Sequence, residues 1–153
     1  MVAMQRDGTD DQGTIVSNPS TVLFHRAMHL LLAKDMPGFI ALFADDGVME
    51  FPFAPAGQPS RVTGRAAVHD YLIDYPHILD VREITEVTVH ETTDPAVLVA
   101  EFTASGVVVA SDRPYRLRYI AVLTIRDGHI VHYRDYWNPQ AAQDLLGGGL
   151  VRS

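Results

Sequence analysis

Cysteine is absent from the 153-residue chain. That removes disulfides, thiolate nucleophiles and thiolate metal sites from consideration. Basic residues are scarce: twelve Lys and Arg face nineteen Asp and Glu, for a net charge of −7. Binding a nucleic-acid backbone needs clustered Lys and Arg, and no such cluster occurs, so no nucleic-acid partner is expected. No apolar run approaches the roughly twenty residues of a membrane span, and no membrane partner is expected either. Residues 1–17 are polar and rich in Gly and Asp, without the apolar stretch of a signal peptide. They predict a disordered N-terminal tail, 147–153 predict a flexible C-terminal one, and the chain reads as cytoplasmic. No nucleotide, flavin or metal motif is present, so no cofactor and no metal are expected. Internal repeats and low-complexity tracts are missing too.

What is present suits one domain over 18–146. Apolar residues make up 47% and charged residues 20% of the chain, the balance of an ordinary globular protein with a real core. Asn18-Pro19 reads as a cap followed by proline in the first helical turn. The helix then runs through Leu23, Ala27, Leu30 and Leu31 to Ala33. Asp35-Met36-Pro37 opens a second helix that includes Phe39, Ile40, Leu42 and Phe43, and Asp45-Asp46-Gly47 breaks it. A short strand over 48–51 follows, then a proline-rich loop. Thr63-Gly64 opens a third helix carrying Val68, Tyr71, Leu72 and Tyr75, closed by Pro76. From there the apolar period drops to two, and strands are predicted over 81–91, 97–110, 115–126 and 129–137. Asp127-Gly128 is a two-residue hairpin signal. Helices first and then an antiparallel meander make an α+β fold, with one sheet face packed on the helices around a pocket.

The last strand carries the most chemical information. Alternation puts Val131, Tyr133, Asp135 and Trp137 on one face and Ile130, His132, Arg134 and Tyr136 on the other. Asp135 therefore sits between two large aromatics on the more apolar face. Burial there disfavours its charged form and raises its pKa toward the working range of a general acid or base. The same face of the preceding strand holds Tyr115, Leu117, Tyr119, Ala121, Leu123 and Ile125. Tyr119 falls near Asp135, where its phenol could donate to a developing enolate oxygen. Glu101 lies in a stretch apolar on both faces. Inward, it would pair with Asp135 as a second catalytic carboxylate; outward, it would meet Arg116 or Arg118 across strands. Glu50 reads as pointing away, with Phe51 inward. An aromatic wall of Phe24, Met28, Phe51, Phe53, Tyr71, Tyr75, Tyr133 and Trp137 would suit a flat, ring-containing apolar ligand. His25 and His29 have chelating spacing but lie off the buried face, and no third ligand is spaced with them. The outer sheet face mixes Ile120, Val122, Ile130 and Tyr136 with arginines and His132, a composition that suits a dimer interface.

The order of elements, with these residues, resembles the NTF2-like superfamily, a cone of three N-terminal helices closed by a curved antiparallel sheet. Ala41-Leu42-Phe43-Ala44-Asp45-Asp46-Gly47-Val48-Met49-Glu50-Phe51-Pro52 is similar to the helix-to-strand passage of ketosteroid isomerases. Glu91-Thr92-Thr93-Asp94-Pro95 and the strand from Asp127 to Asn138 look like the phenazine-biosynthesis branch. Together they resemble the SnoaL-like group, named for a polyketide cyclase, over about residues 20 to 146. The ketosteroid isomerase triad does not transfer: its base falls on Phe51, its oxyanion-hole Tyr on Ala27 and its oxyanion-hole Asp on Ala121. Asp135 does match the acid that SnoaL-like cyclases place on the last strand. The resemblance implies a homodimer through the outer sheet face and a cofactor-free isomerase or cyclase. Its substrate would be a hydrophobic, ring-containing, polyketide-like carbonyl compound. Epoxide hydrolysis by Asp135 and Glu101 is the alternative chemistry. A non-catalytic small-molecule-binding domain is the alternative without chemistry.

Overall fold

The computed structural model describes residues 18–146; the two expected tails lie outside them. Helix α1 (Pro19–Leu32) is capped by Asn18, whose side chain accepts from the Ser20 amide at 2.8 Å. Its buried residues include Leu23, Phe24, Ala27 and Met28, one stripe of the helix. The Ser20 hydroxyl donates to the Pro95 carbonyl at 2.9 Å and ties this helix to a distant strand turn. Helix α2 (Met36–Ala41) is capped by Asp35, which accepts from the Gly38 amide. It stops before Phe43, which opens strand β1 (Phe43–Glu50) instead of closing the helix. Asp45-Asp46-Gly47 is thus a bulged part of a strand, where the register on its neighbour slips.

A short strand β2 (Arg61–Thr63) precedes helix α3 (Arg65–Leu72). That helix ends earlier than the sequence suggests, and Tyr75 sits on a separate 3-10 turn, Tyr75–His77. Strands β3 (Leu79–Glu91), β4 (Val97–Val108), β5 (Arg113–Arg126) and β6 (His129–Trp137) form the meander. Asp127 and Gly128 both have positive φ (53° and 76°), as a tight primed turn requires. A helix absent from the sequence reading, α4 (Pro139–Leu146), follows β6.

The six strands form one sheet in the order β2-β1-β6-β5-β4-β3. All neighbours are antiparallel except β1 and β6, which run parallel. The helices pack on one face over a core that includes Phe24, Phe43, Leu98, Leu123 and Ile130. Ile130 corrects the alternation argument: it is fully buried, not on the outer face. The β5–β6 register shifts between Thr124 and Ile125, so Ile125 pairs with Ile130 while Thr124 pairs with His132. That irregularity turns Ile130 inward although His132 still faces out. No helix among the described residues is long and apolar enough to cross a membrane.

Candidate active site

Register sets the floor of the site. Asp135 lies opposite Ala121, which lies opposite Ala100, and both alanines are fully buried. Beside that lane, Trp137 pairs with Tyr119, which pairs with Phe102. The Phe102 and Tyr119 rings stack with centroids 5.3 Å apart. Two small residues between walls of aromatics leave space above the sheet. The result is a cavity of about 270 Å³ between sheet and helices, near the small end of the usual range for ligand pockets, roughly 300–1,000 Å³. Asp135 and Tyr119 line it, with Phe51, Tyr71, Tyr75, Tyr133 and Trp137 from the sequence-derived wall. Phe51 stacks on Tyr71 with centroids 4.6 Å apart and meets Trp137 at 5.8 Å.

Four sequence-derived positions lie elsewhere. Phe24 and Met28 are core residues beneath the cavity; Phe24 packs edgewise on His25 and at 5.9 Å on Phe102. Phe53 is 54% exposed and meets Tyr136 on the outer side of the sheet. Glu101 also faces outward. Its strand neighbours Ala100 and Phe102 fill the inner face, so alternation sends Glu101 to the other side. There it pairs with His90 at 2.8 Å and approaches Arg118 at 3.8 Å. Glu50 is outward as well, bonded to His132 and ion-paired with Arg61 at 3.2 Å. The His132 hydrogen bond, with Arg61 and Arg134 nearby, holds its carboxyl below the usual range.

Among the described residues, Asp135 is the only acidic one on the cavity wall, and no Lys, Arg or His lines it. Its Oδ1 is buried and has no hydrogen-bond partner. Burial pushes its pKa up to about 8, because an anion loses hydration in an apolar chamber. The phenols around it are shifted the same way: burial, then the charge of Asp135, raises Tyr71 to about 12 and pushes Tyr133 well above its ordinary value. Tyr75 and Tyr119 are raised chiefly by burial, and each hydroxyl also feels the other. Among the described residues, no group of three or more His, Cys, Asp or Glu could hold a metal ion.

Residues 24–133 match the SnoaL-like domain family. The chain belongs to that family. This SnoaL-like chain is similar in sequence to the uncharacterised protein YesE of Bacillus subtilis and to an uncharacterised PhzA/B-like protein of Pseudomonas aeruginosa. YesE is 41% identical over 82% of this chain and 86% of its own. The Pseudomonas protein is 40% identical over 86% and 92%. A solved Bacillus subtilis structure, provisionally named an isomerase, has a TM-score of 0.83 at 38% identity, covering 87% of this chain and 97% of its own. A Mycobacterium tuberculosis protein in complex with estradiol-17β-hemisuccinate shares the fold at a TM-score of 0.71 and 19% identity, over 82% and 98%. The SnoaL-like match ends just before Asp135, so the role of that residue rests on geometry. Sequence reading missed several wall residues, among them Met36, Phe39 and Phe102. An apolar residue on an inward face carries no mark that separates cavity wall from filled core.

Proposed function

We propose that this protein is an isomerase or cyclase acting on a hydrophobic, ring-containing carbonyl compound without help from a cofactor. The observation that carries the reading is a buried carboxylate with an orphaned oxygen in an aromatic cavity that tyrosine side chains also line. Ionised Asp135 takes a proton from the carbon next to the carbonyl. The hydroxyl of Tyr119, on the same cavity wall, donates to the oxygen on which the enolate charge develops. The carboxylic acid then returns its proton. Return to a different carbon completes an isomerisation. If the enolate first attacks a second carbonyl of the same molecule, a ring closes and the new alkoxide is protonated.

A base with a pKa near 8 is far stronger than an ordinary carboxylate and still partly ionised at neutral pH, which suits this task. The steroid ester held by the Mycobacterium tuberculosis neighbour supports a flat polycyclic ligand. Epoxide hydrolysis with paired carboxylates loses its second acid, since Glu101 projects from the opposite face.

The test is deuterium uptake next to the carbonyl of 1-tetralone in heavy water, followed by mass spectrometry. Wild type should catalyse it, with kcat/KM rising with pH and levelling above about 8. Asp135→Asn should lose roughly 100-fold or more in rate while still binding the ketone. Binding by both forms with exchange by neither would instead identify a binding domain.

The outer sheet face, in the same proposal, joins two copies into a homodimer. It exposes Ile120 and Phe53 beside balanced ionic groups.

A further inference from the structure

The two ends of the cavity differ in chemistry, and strand register orders them. Successive inward positions of β5 are Ala121, Tyr119 and Leu117. Ala121 pairs with Asp135 and Tyr119 with Trp137, while Leu117 pairs with Ala104 on its other side. Asp135 and Leu117 both line the cavity, yet Ala121 and Leu117 are four residues apart on β5, roughly 13 Å of extended strand.

Strand β6 ends at Trp137, so no strand flanks Leu117 on that side. Helix α4 closes the gap. Asn138 accepts from the Gln140 amide at 2.9 Å and starts the helix. Ala141 and Leu145 pack against the buried cluster that contains Leu79, Ala104 and Leu117, and Ala142 lines the cavity with those three. This end is thus walled by apolar side chains from β3, β4, β5 and α4. Even the rim is apolar, since Ile78, next to Leu79, lines the cavity while 42% exposed. Tyr115, the polar member of the cluster, is not among the residues that line the cavity. Polar wall groups lie toward Asp135 instead. Tyr133 is two positions along the same strand, and Gln58 comes from the loop whose Ser60 carbonyl accepts from the Phe51 amide at 2.9 Å. Tyr75 and Tyr119 pack against both clusters and form the boundary. A hydroxyl moved to the Leu117 end would leave water without gaining a partner. A methylene gains from the same move, and Ala104 and Ala142 leave room that larger side chains would fill.

We infer that the Leu117 end of the cavity is a hydrocarbon subsite. It takes an alkyl group or an unoxygenated ring of the ligand, remote from the carbon that Asp135 deprotonates. The substrate class is then a carbonyl compound oxygenated at one end only. This rests on the cavity being the reaction site, and the experiment separates the two ideas.

The probes are 1-tetralone, 6-ethyl-1-tetralone, its 8-ethyl isomer and 6-hydroxymethyl-1-tetralone. Position 6 lies across the ring system from the ketone and position 8 beside it. Dissociation constants, measured by calorimetry on wild type and Ala142→Leu, are read beside deuterium exchange at the carbon next to the ketone. Wild type should bind the 6-ethyl probe about tenfold more tightly than the parent, with no such gain for the other two derivatives. Ala142→Leu should remove the 6-ethyl gain. No gain at position 6, an equal gain from ethyl at position 8 or from hydroxymethyl, or a gain that survives Ala142→Leu would overturn the inference. The wild-type comparison needs no variant, so a misfolded Ala142→Leu does not remove the test. A 6-ethyl gain without exchange retains the subsite and rejects the proton-transfer reading. Exchange without that gain does the reverse, and absence of binding by every probe rejects both.

Discussion

An unfolded Asp135 releases its proton near the ordinary 3.8, whereas the folded residue holds it to about 8. Between those values the native state carries the extra proton. Its contribution to stability is complete below about pH 4 and is lost as pH rises through 8, at up to about 1.4 kcal/mol per pH unit. Asn cannot titrate, so Asp135→Asn should be increasingly more stable than wild type as pH rises. Denaturant unfolding at pH 5 and pH 7 should show the stability gap widening by about 2 kcal/mol in favour of Asn. A gap independent of pH would mean that the carboxylate is well solvated and is not the poised base required here. Loss of activity with gain of stability is the pattern of a residue kept for function. The same physics explains why Asp135 was legible in the sequence. An acid flanked by Tyr133 and Trp137 on one strand face has few bland explanations.

Elements were legible where the period was regular and obscure where it broke. The cap at Asn18, the Asp127-Gly128 turn and the four long strands follow from local chemistry. The facing of Ile130 depended on a register irregularity between Thr124 and Ile125, which no residue type announces. Glu101 was ambiguous for a different reason: Val99 and Thr103 share its face, so both sides of β4 look apolar. The structure places Thr103 fully buried on that outward side, where its hydroxyl donates to Glu86. Strand β3 adds two further slips, around Val81/Glu83 and Thr85/Thr88, with Glu86 at a φ of 54°. Such bulges bend and twist a strand. Gly106 of β4 sits against the first, between Val81 and Tyr115. A Cβ there would lie 1.9 Å from the Asp80 carbonyl oxygen and about 3 Å from two more backbone atoms. Backbone cannot yield cheaply, so Gly106→Ala should cost about 2–3 kcal/mol, read as a lowered unfolding midpoint. Wild-type stability in that variant would show that β3 can relax away from β4 without disturbing the fold.

At the scale of the whole molecule, the sheet divides two kinds of chemistry. Its inner side holds the aromatic chamber; its outer side carries paired charges around an apolar centre. Glu101, Ile120 and Tyr136 form one outward row across β4, β5 and β6, and Phe53 leans on Tyr136 from the loop after β1. A groove of about 430 Å³ opens over this row. Around it, Glu86 pairs with Arg116 and Arg118, and Glu50 with Arg61. Each chain carries a net charge of −7, which opposes self-association at long range, but salt screens that repulsion beyond about 8 Å under physiological conditions. A face whose acids are already matched by its own arginines adds little repulsion at contact and is self-complementary about a two-fold axis. The proposed dimer should therefore tighten as salt is raised from low levels, the opposite of an assembly held by ionic attraction. Ile120 is 43% exposed at the centre of that face. Ile120→Arg would bury an unmatched cation against its own symmetry copy, raising the dimer dissociation constant by roughly 30-fold or more. Sedimentation velocity across a concentration and salt series reads both effects. Wild type that stays monomeric at all concentrations would reject the interface, and a dimer untouched by Ile120→Arg would move it to another face.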